Sequence, residues 1–209
     1  MNNAFIAIEG GDGAGKTTQI KMLLKYLEDK GVKTHLTREP GGCPVSEEIR
    51  NVILQGDVEK LDDLSELLLY SAARHEHVRQ KIRPLLDQGH TVISDRFYLS
   101  TYAYQSFAGG LAFELVERIT KEVIKGTEPN LTLLLDIDPE IGLQRSMDNT
   151  ATNHEKRLES KPLAYHQKIR QGFLQAAEAD DTTVVIDASQ SVEKIHQDII
   201  KAIEERNMF

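Results

Sequence analysis

The sequence predicts an α/β fold built on a parallel sheet. Along its 209 residues, short apolar runs alternate with stretches of helical periodicity, as in βαβ units. The runs are almost continuously apolar, the pattern of strands buried on both faces. The first of them leads straight into a glycine-rich turn and then into an amphipathic stretch. No repeat, low-complexity tract or linker-like stretch interrupts the chain, so one domain over residues 1–209 is expected.

Strands are expected at Phe5–Glu9, Thr34–Thr37, Thr91–Asp95, Leu131–Ile137 and Thr183–Asp187. After the first, Ile20, Leu23, Leu24 and Leu27 recur at helical spacing, and Gly31 follows as a stop. Asp62 to Leu86 reads as a long helical region in which Pro84 marks a kink or a fresh start. Leu115, Val116, Ile119 and Val123 form another core-facing stripe. Asp138-Pro139 is a cap followed by proline at the first helical position. Val192, Ile195, Ile199 and Ile203 form the last stripe, after a candidate cap at Ser191. Residues 147–161 break the pattern: they are polar, Asn/Thr-rich and poor in apolar residues, and carry the basic pair Lys156-Arg157. A lid is expected there.

Twenty-five Lys and Arg against 33 Asp and Glu give a net charge of −8, which argues against a nucleic-acid coat. Anionic ligands then require basic groups gathered in one cleft. The single cysteine, Cys43, rules out an internal disulfide framework and suits a reducing cytoplasm. The apolar start Ala4–Ile8 ends at Glu9, too early for a signal peptide, and no run is long enough to span a membrane. His75-Glu76-His77 is no metal pair, because i and i+2 on a helix point to different faces.

Gly10-Gly11-Asp12-Gly13-Ala14-Gly15-Lys16-Thr17 matches G-x-x-x-x-G-K-[ST] between a strand and a helix, the setting its chemistry requires. The glycines let successive backbone N–H groups turn toward phosphate oxygens, and the helix N-terminus adds its positive end. Lys16 can reach the β- and γ-phosphates, Thr17 can hold Mg²⁺, and Thr18 continues the loop into the helix. The motif alone leaves GTPases, mechanical ATPases and small-molecule kinases open. A GTPase should carry an Asn-Lys-x-Asp segment, and none is present. The third strand ends in Asp95-Arg96 rather than in an acidic pair. Asp95 can serve the Mg²⁺ shell while Arg96 forks onto an acceptor phosphate, which favours phosphoryl transfer over hydrolysis. Arg38 and Glu39 end the second strand, Arg50 follows on the next helix, and Arg74 lies one turn beyond Tyr70. An aromatic ring there can stack a base while the arginine holds charge.

With these residues in view, the sequence resembles the bacterial thymidylate kinase family over nearly its whole length. The resemblance rests on the P-loop with Asp12, Thr37-Arg38-Glu39-Pro40-Gly41-Gly42, Ser71-Ala72-Ala73-Arg74, and Asp95-Arg96 followed by Ser100-Thr101-x-Ala103-Tyr104-Gln105. It implies a P-loop kinase fold with a five-stranded parallel sheet, a lid and a homodimer. It also implies ATP with Mg²⁺ as donor pair and dTMP as acceptor, giving dTDP. Arg50, Arg74 and Arg96 would hold the dTMP phosphate, and Tyr70 would stack on thymine. Gln105, Ser100 and Thr101 would meet the base and its surroundings. Tyr104 would lie near the deoxyribose, Glu39 and Pro40 at the acceptor, and Asp12 at its metal end. The lid would supply Arg157 beside Lys16, Asp95 and Arg96 as catalytic groups.

The sequence departs from the family at Tyr70, where phenylalanine is common, and in Ser106-Phe107-Ala108-Gly109-Gly110, where an arginine is frequent. It also has Gly13 where one family type carries a P-loop arginine. Two rivals remain from the residues themselves: a kinase of another deoxynucleoside monophosphate or of a nucleoside, and a catalytically idle nucleotide-binding module. The intact Lys16, Thr17 and Asp95 speak against the second.

Overall fold

A computed structural model describes residues 3–56, 60–148 and 161–209. Five parallel strands form one sheet: β1 (Phe5–Gly10), β2 (Thr34–Arg38), β3 (Thr91–Asp95), β4 (Leu131–Asp136) and β5 (Thr183–Asp187), in the order β2-β3-β1-β4-β5. β3 and β5 begin and end where the sequence puts them. β1 and β2 run one residue further, and β4 stops one residue short. The chain moves outward from β1 to one edge and then to the other, so loops leaving the carboxyl ends of β1 and β3 diverge beside each other. A crevice at such a point is where open α/β sheets bind ligands.

Alternating side chains of β1 feed two cores. Ile6 and Ile8 pack with Leu131, Leu133 and Leu135 against α1 (Lys16–Asp29) and the last helix, Val192–Glu205. Phe5 and Ala7 pack with Leu134 on the other face, against Leu67, Phe97, Val116 and Phe173. Burial on both faces thus holds for β1, β3 and β4 but not for β2 and β5. These are the sheet edges, and Leu36 and Val185 are 44% and 47% exposed.

The helices follow their sequence signals closely. α2 (Pro44–Leu54) starts with proline in its first turn. In α3 (Asp63–His77), the Asp62 carboxylate accepts from Ser65 N at 2.6 Å as the N-cap. The long helical region does continue past α3, but through a π-helical turn at Val78–Ile82 before α4 (Arg83–Asp87). Pro84 has no N–H to return to the preceding turn, so the irregularity falls just ahead of it. After β3 come a short α5 (Tyr98–Thr101) and a π-helical segment, Tyr102–Ala108, which the sequence reading did not anticipate. α6 (Phe113–Ile124) and α7 (Pro139–Asp148) flank β4, and Asp138 accepts from Glu140 N at 2.9 Å as expected of a cap. α8 (Leu163–Glu178) and α9 (Val192–Glu205) flank β5. In α9, Ile195, Ile199 and Ile203 are buried, whereas Val192, at the first turn, is exposed.

The sheet order makes Leu133→Ala and Val185→Thr a discriminating pair. Leu133 is fully buried at the sheet centre, and its truncation is expected to lower the unfolding free energy by roughly 2–5 kcal/mol. Val185→Thr on the open face of β5 is expected to stay within about 0.5 kcal/mol. Urea titrations of both variants decide the matter, and equal losses would contradict an edge position for β5.

Candidate active site

The glycine-rich loop between β1 and α1 takes the form its motif demands. Gly13 has φ +70°, and a Cβ there would lie 1.9 Å from the Gly142 carbonyl oxygen of α7. Neither the left-handed backbone nor the contact with α7 admits a side chain, which accounts for the missing P-loop arginine. Gln19 N donates to Gly15 O at 3.1 Å as α1 begins. Lys16 Nζ lies across the loop, donating to the Gly10 and Gly11 carbonyls at 3.0 and 3.1 Å. Thr17 and Thr18 are exposed in the first turn of α1.

Beside the loop opens a cleft of about 670 Å³. The second strand's end contributes Glu39 and Pro40, joined by a cis peptide. α3 contributes Tyr70 and Arg74, and the segment after β3 contributes Arg96, Ser100, Thr101, Tyr104 and Gln105. Asp12 lines it from the P-loop, and Leu54 and Phe97 complete the apolar wall. Residues far apart in sequence thus converge on one cleft. Arg50 does not line the cleft; its Nη1 donates to the Pro40 carbonyl at 2.7 Å, at the cleft's edge.

Arg96 joins the loop to the cleft. Its Nη2 donates to Asp12 Oδ1 at 2.9 Å, and its Nη1 donates to Gly10 O at 3.0 Å and Ser100 Oγ at 3.2 Å. Its guanidinium also stands over the Tyr104 ring, 5.5 Å from the centroid. The Arg96 backbone has φ +69°, a strained conformation for a residue with a side chain. Hydrogen bonds hold it on both sides, from Arg96 N to Ile8 O at 2.9 Å and from Ser94 Oγ to Arg96 O at 2.8 Å.

Glu9, to which the sequence reading gave no role in the site, anchors the same turn. Its fully buried carboxylate accepts from Phe97 N at 2.8 Å, Ser100 N at 3.1 Å and Ser100 Oγ at 2.6 Å. Burial pushes the Glu9 carboxyl above its ordinary range, opposed by the Ser100 hydrogen bonds and the Arg96 charge.

Arg74 is 3% exposed, and its fork is directed inward. Nε donates to Glu39 Oε2 at 2.7 Å, Nη1 to Thr101 Oγ1 at 2.8 Å and Nη2 to the Phe97 carbonyl at 3.0 Å. These contacts make it a brace beneath the cleft. His77 extends the brace: one ring nitrogen lies 3.0 Å from Glu39 Oε1, the other 2.6 Å from Thr37 Oγ1. Gly42 has φ +91°, and a Cβ there would sit 2.3 Å from His77 Nε2, so glycine is required where the loop passes over the ring. His75 turns away to the Val123 carbonyl, as the helical spacing predicts. Among the described residues no group of three or more His, Cys, Asp or Glu is arranged to hold a metal ion. Asp95 Oδ1, however, is buried with no hydrogen-bond partner.

A second hollow of about 420 Å³ shares Asp12 and Tyr104 with the cleft and is lined also by Gly11, Asp136, His166 and Arg170 among others. Arg170 makes a bidentate pair with Asp136, at 2.7 and 2.8 Å, and that carboxylate holds the guanidinium pKa above its usual value. The sequence reading missed this cation because its partner Asp136 lies 34 residues away, on β4. Arg145 turns back to the Ala188 carbonyl at 3.0 Å. Arg157, with most of the expected lid, lies outside the described residues. No helix among the described residues is long and apolar enough to cross a membrane.

Comparison with known proteins agrees with this geometry. A family model described as thymidylate kinase matches residues 8–199. A thymidylate kinase of Magnetococcus marinus is 46% identical over 207 residues, 99% of this chain and 98% of that one. One from a Marinomonas species is 41% identical over 208 residues, covering 99% and 97%. The crystal structure of thymidylate kinase from Ehrlichia chaffeensis superposes with a TM-score of 0.79 at 32% identity, covering 97% of this chain and all of that one. With a P-loop set beside an arginine-bearing cleft, and matches of this extent, the chain belongs to the thymidylate kinase family.

Proposed function

We propose that this chain transfers the γ-phosphoryl of ATP to dTMP, giving dTDP and ADP. The observation that carries the reading is the joint between two anion-binding regions: Arg96, at the acceptor cleft, donates to Asp12 and Gly10 of the donor loop. A γ-phosphoryl cradled by the loop then lies near a monophosphate drawn to Arg96. The acceptor phosphate oxygen attacks the γ-phosphorus in line, and the bond to the ADP oxygen breaks. No covalent enzyme intermediate is needed, because catalysis consists of positioning and charge stabilisation. Lys16 leaves the Gly10 and Gly11 carbonyls to bind phosphate oxygens, and Arg96 and Arg50 draw the acceptor phosphate. Tyr70 stacks on the base, Gln105 reads its edge with Ser100 and Thr101 beside it, and Tyr104 lies near the sugar. Arg74 and Glu39 act mainly by holding this wall.

Mg²⁺ fits the residues present. Thr17 is exposed at the start of α1, and Asp95 has a buried carboxylate oxygen free of hydrogen bonds, with Asp12 nearby on the loop. A set this sparse suits an ion held largely by phosphates and water. Bound there, Mg²⁺ would neutralise charge on the β- and γ-phosphates. A homodimer is supported by Val45 and Val52 on α2 and Leu64 and Leu68 on α3, which are exposed on adjoining helices. The buried free thiol of Cys43 suits a reducing cytoplasm.

A coupled ADP-release assay over a panel of nucleoside monophosphates tests the reading, with dTMP expected as the best acceptor. Gln105→Leu in the same assay is expected to lower the dTMP-to-dCMP ratio of kcat/KM by about tenfold, since unpaired polar groups discriminate on that scale. An unchanged ratio removes Gln105 from base recognition. Gly13 excludes a P-loop arginine, so charge at the transferred phosphoryl must come from elsewhere; we assign it to Arg157. Arg157→Ala is expected to lower kcat by at least about tenfold while the KM for dTMP moves little. Steady-state kinetics beside Arg145→Ala decides it, and equal constants in wild type and Arg157→Ala would remove the assignment.

A further inference from the structure

Glu66 is a buried carboxylate to which neither the motifs nor the transfer chemistry assigns a task. It lies on α3 one turn before Tyr70, and Arg74 lies one turn after, so positions 66, 70 and 74 share the helix face turned to the cleft. Glu66 is 7% exposed, and its Oε2 accepts from Gln105 Nε2 at 3.3 Å. Gln105 is itself 3% exposed and lines the cleft.

The consequence is chemical. A carboxylate offers only acceptors, whereas a glutamine amide offers a carbonyl at one end and an NH₂ group at the other. Only the NH₂ end can face Glu66, so the carbonyl of Gln105 is left for whatever edge enters the cleft. An amide without such a neighbour can turn over at little cost and offer either end. Pyrimidines differ at this point: thymine and uracil carry a proton on N3, and cytosine carries a lone pair. An acceptor held toward N3 pairs with the first two and opposes the third.

We infer that Glu66 is a specificity-determining positioning residue, fixing the Gln105 amide with its carbonyl toward the base so that the site takes N3–H pyrimidines and turns cytosine away. The inference rests on the reading that Gln105 meets the base. It places the discrimination against cytosine one residue behind the group that touches the substrate.

Glu66→Gln tests it. The substitution keeps shape and polarity but supplies an NH₂ group of its own, so both amides can turn over and Gln105 can offer NH₂ to the cleft. The dTMP-to-dCMP ratio of kcat/KM is expected to fall by about tenfold, with the kcat/KM for dCMP itself rising. The dTMP-to-dUMP ratio is expected to stay constant, since both acceptors carry N3–H. Glu66→Asp, which retains a carboxylate, is expected to keep more of the discrimination than Glu66→Gln. Ratios taken on one preparation do not depend on the fraction of folded enzyme, so a loss of stability does not disguise the result. An unchanged dTMP-to-dCMP ratio in Glu66→Gln, with Gln105→Leu still lowering it, overturns the inference and leaves base reading by Gln105 intact. No change in either variant overturns base reading by Gln105 and the inference with it. An equal fall for all three acceptors marks Glu66 as merely structural and also overturns the inference.

Discussion

The buried carboxylate of Glu9 ties the carboxyl end of β1 to the turn that follows β3. Its oxygens accept from two backbone N–H groups and one hydroxyl of the Phe97–Ser100 segment. A carboxylate without water is costly unless its lone pairs are met. Here three donors meet them, with the Arg96 charge close by. This link leaves the donor loop and the acceptor cleft little freedom to move apart. It also stabilises the turn in which Arg96 adopts its left-handed backbone, so local strain is offset by long-range hydrogen bonds.

The rest of the site depends on that fixed relation. Arg96 bonds Asp12 and Gly10 from one side and Ser100 from the other, a single guanidinium shared between loop and cleft. Behind the cleft, Thr37, His77, Glu39, Arg74 and Thr101 form a continuous buried polar chain. Every bond in it joins side chains from separate elements, so the cleft wall is braced before any substrate arrives. Preorganised charge of this kind needs little rearrangement during phosphoryl transfer, where the protein contributes positioning and electrostatics rather than covalent chemistry.

Much of this was legible in the sequence because the signals are local. The P-loop is contiguous, its glycines answer to backbone geometry, and the Asp138 and Ser191 caps act within one turn. Strand ends came within a residue because charged or turn-forming residues bound each run. Local pattern does not reveal pairings between distant positions. Glu9 with Ser100, Glu66 with Gln105 and Arg170 with Asp136 are separated by 91, 39 and 34 residues, and Glu9, Glu66 and Arg170 look ordinary in their own segments. The exposed faces of β2 and β5 were missed for a related reason: an edge strand can be as apolar as a central one, and only sheet order distinguishes them. The inward fork of Arg74 likewise depends on Glu39 and Thr101, which no helical pattern could supply.

The central claim is that the donor loop and acceptor cleft are coupled for transfer to a phosphate rather than to water. The direct measurement incubates the protein with γ-labelled ATP, Mg²⁺ and dTMP and separates labelled dTDP from labelled inorganic phosphate. The account predicts label in the β-position of dTDP, one dTDP for each ADP, and little inorganic phosphate whether or not dTMP is present. Release of labelled phosphate at the same rate with and without dTMP, and no labelled dTDP, would contradict it.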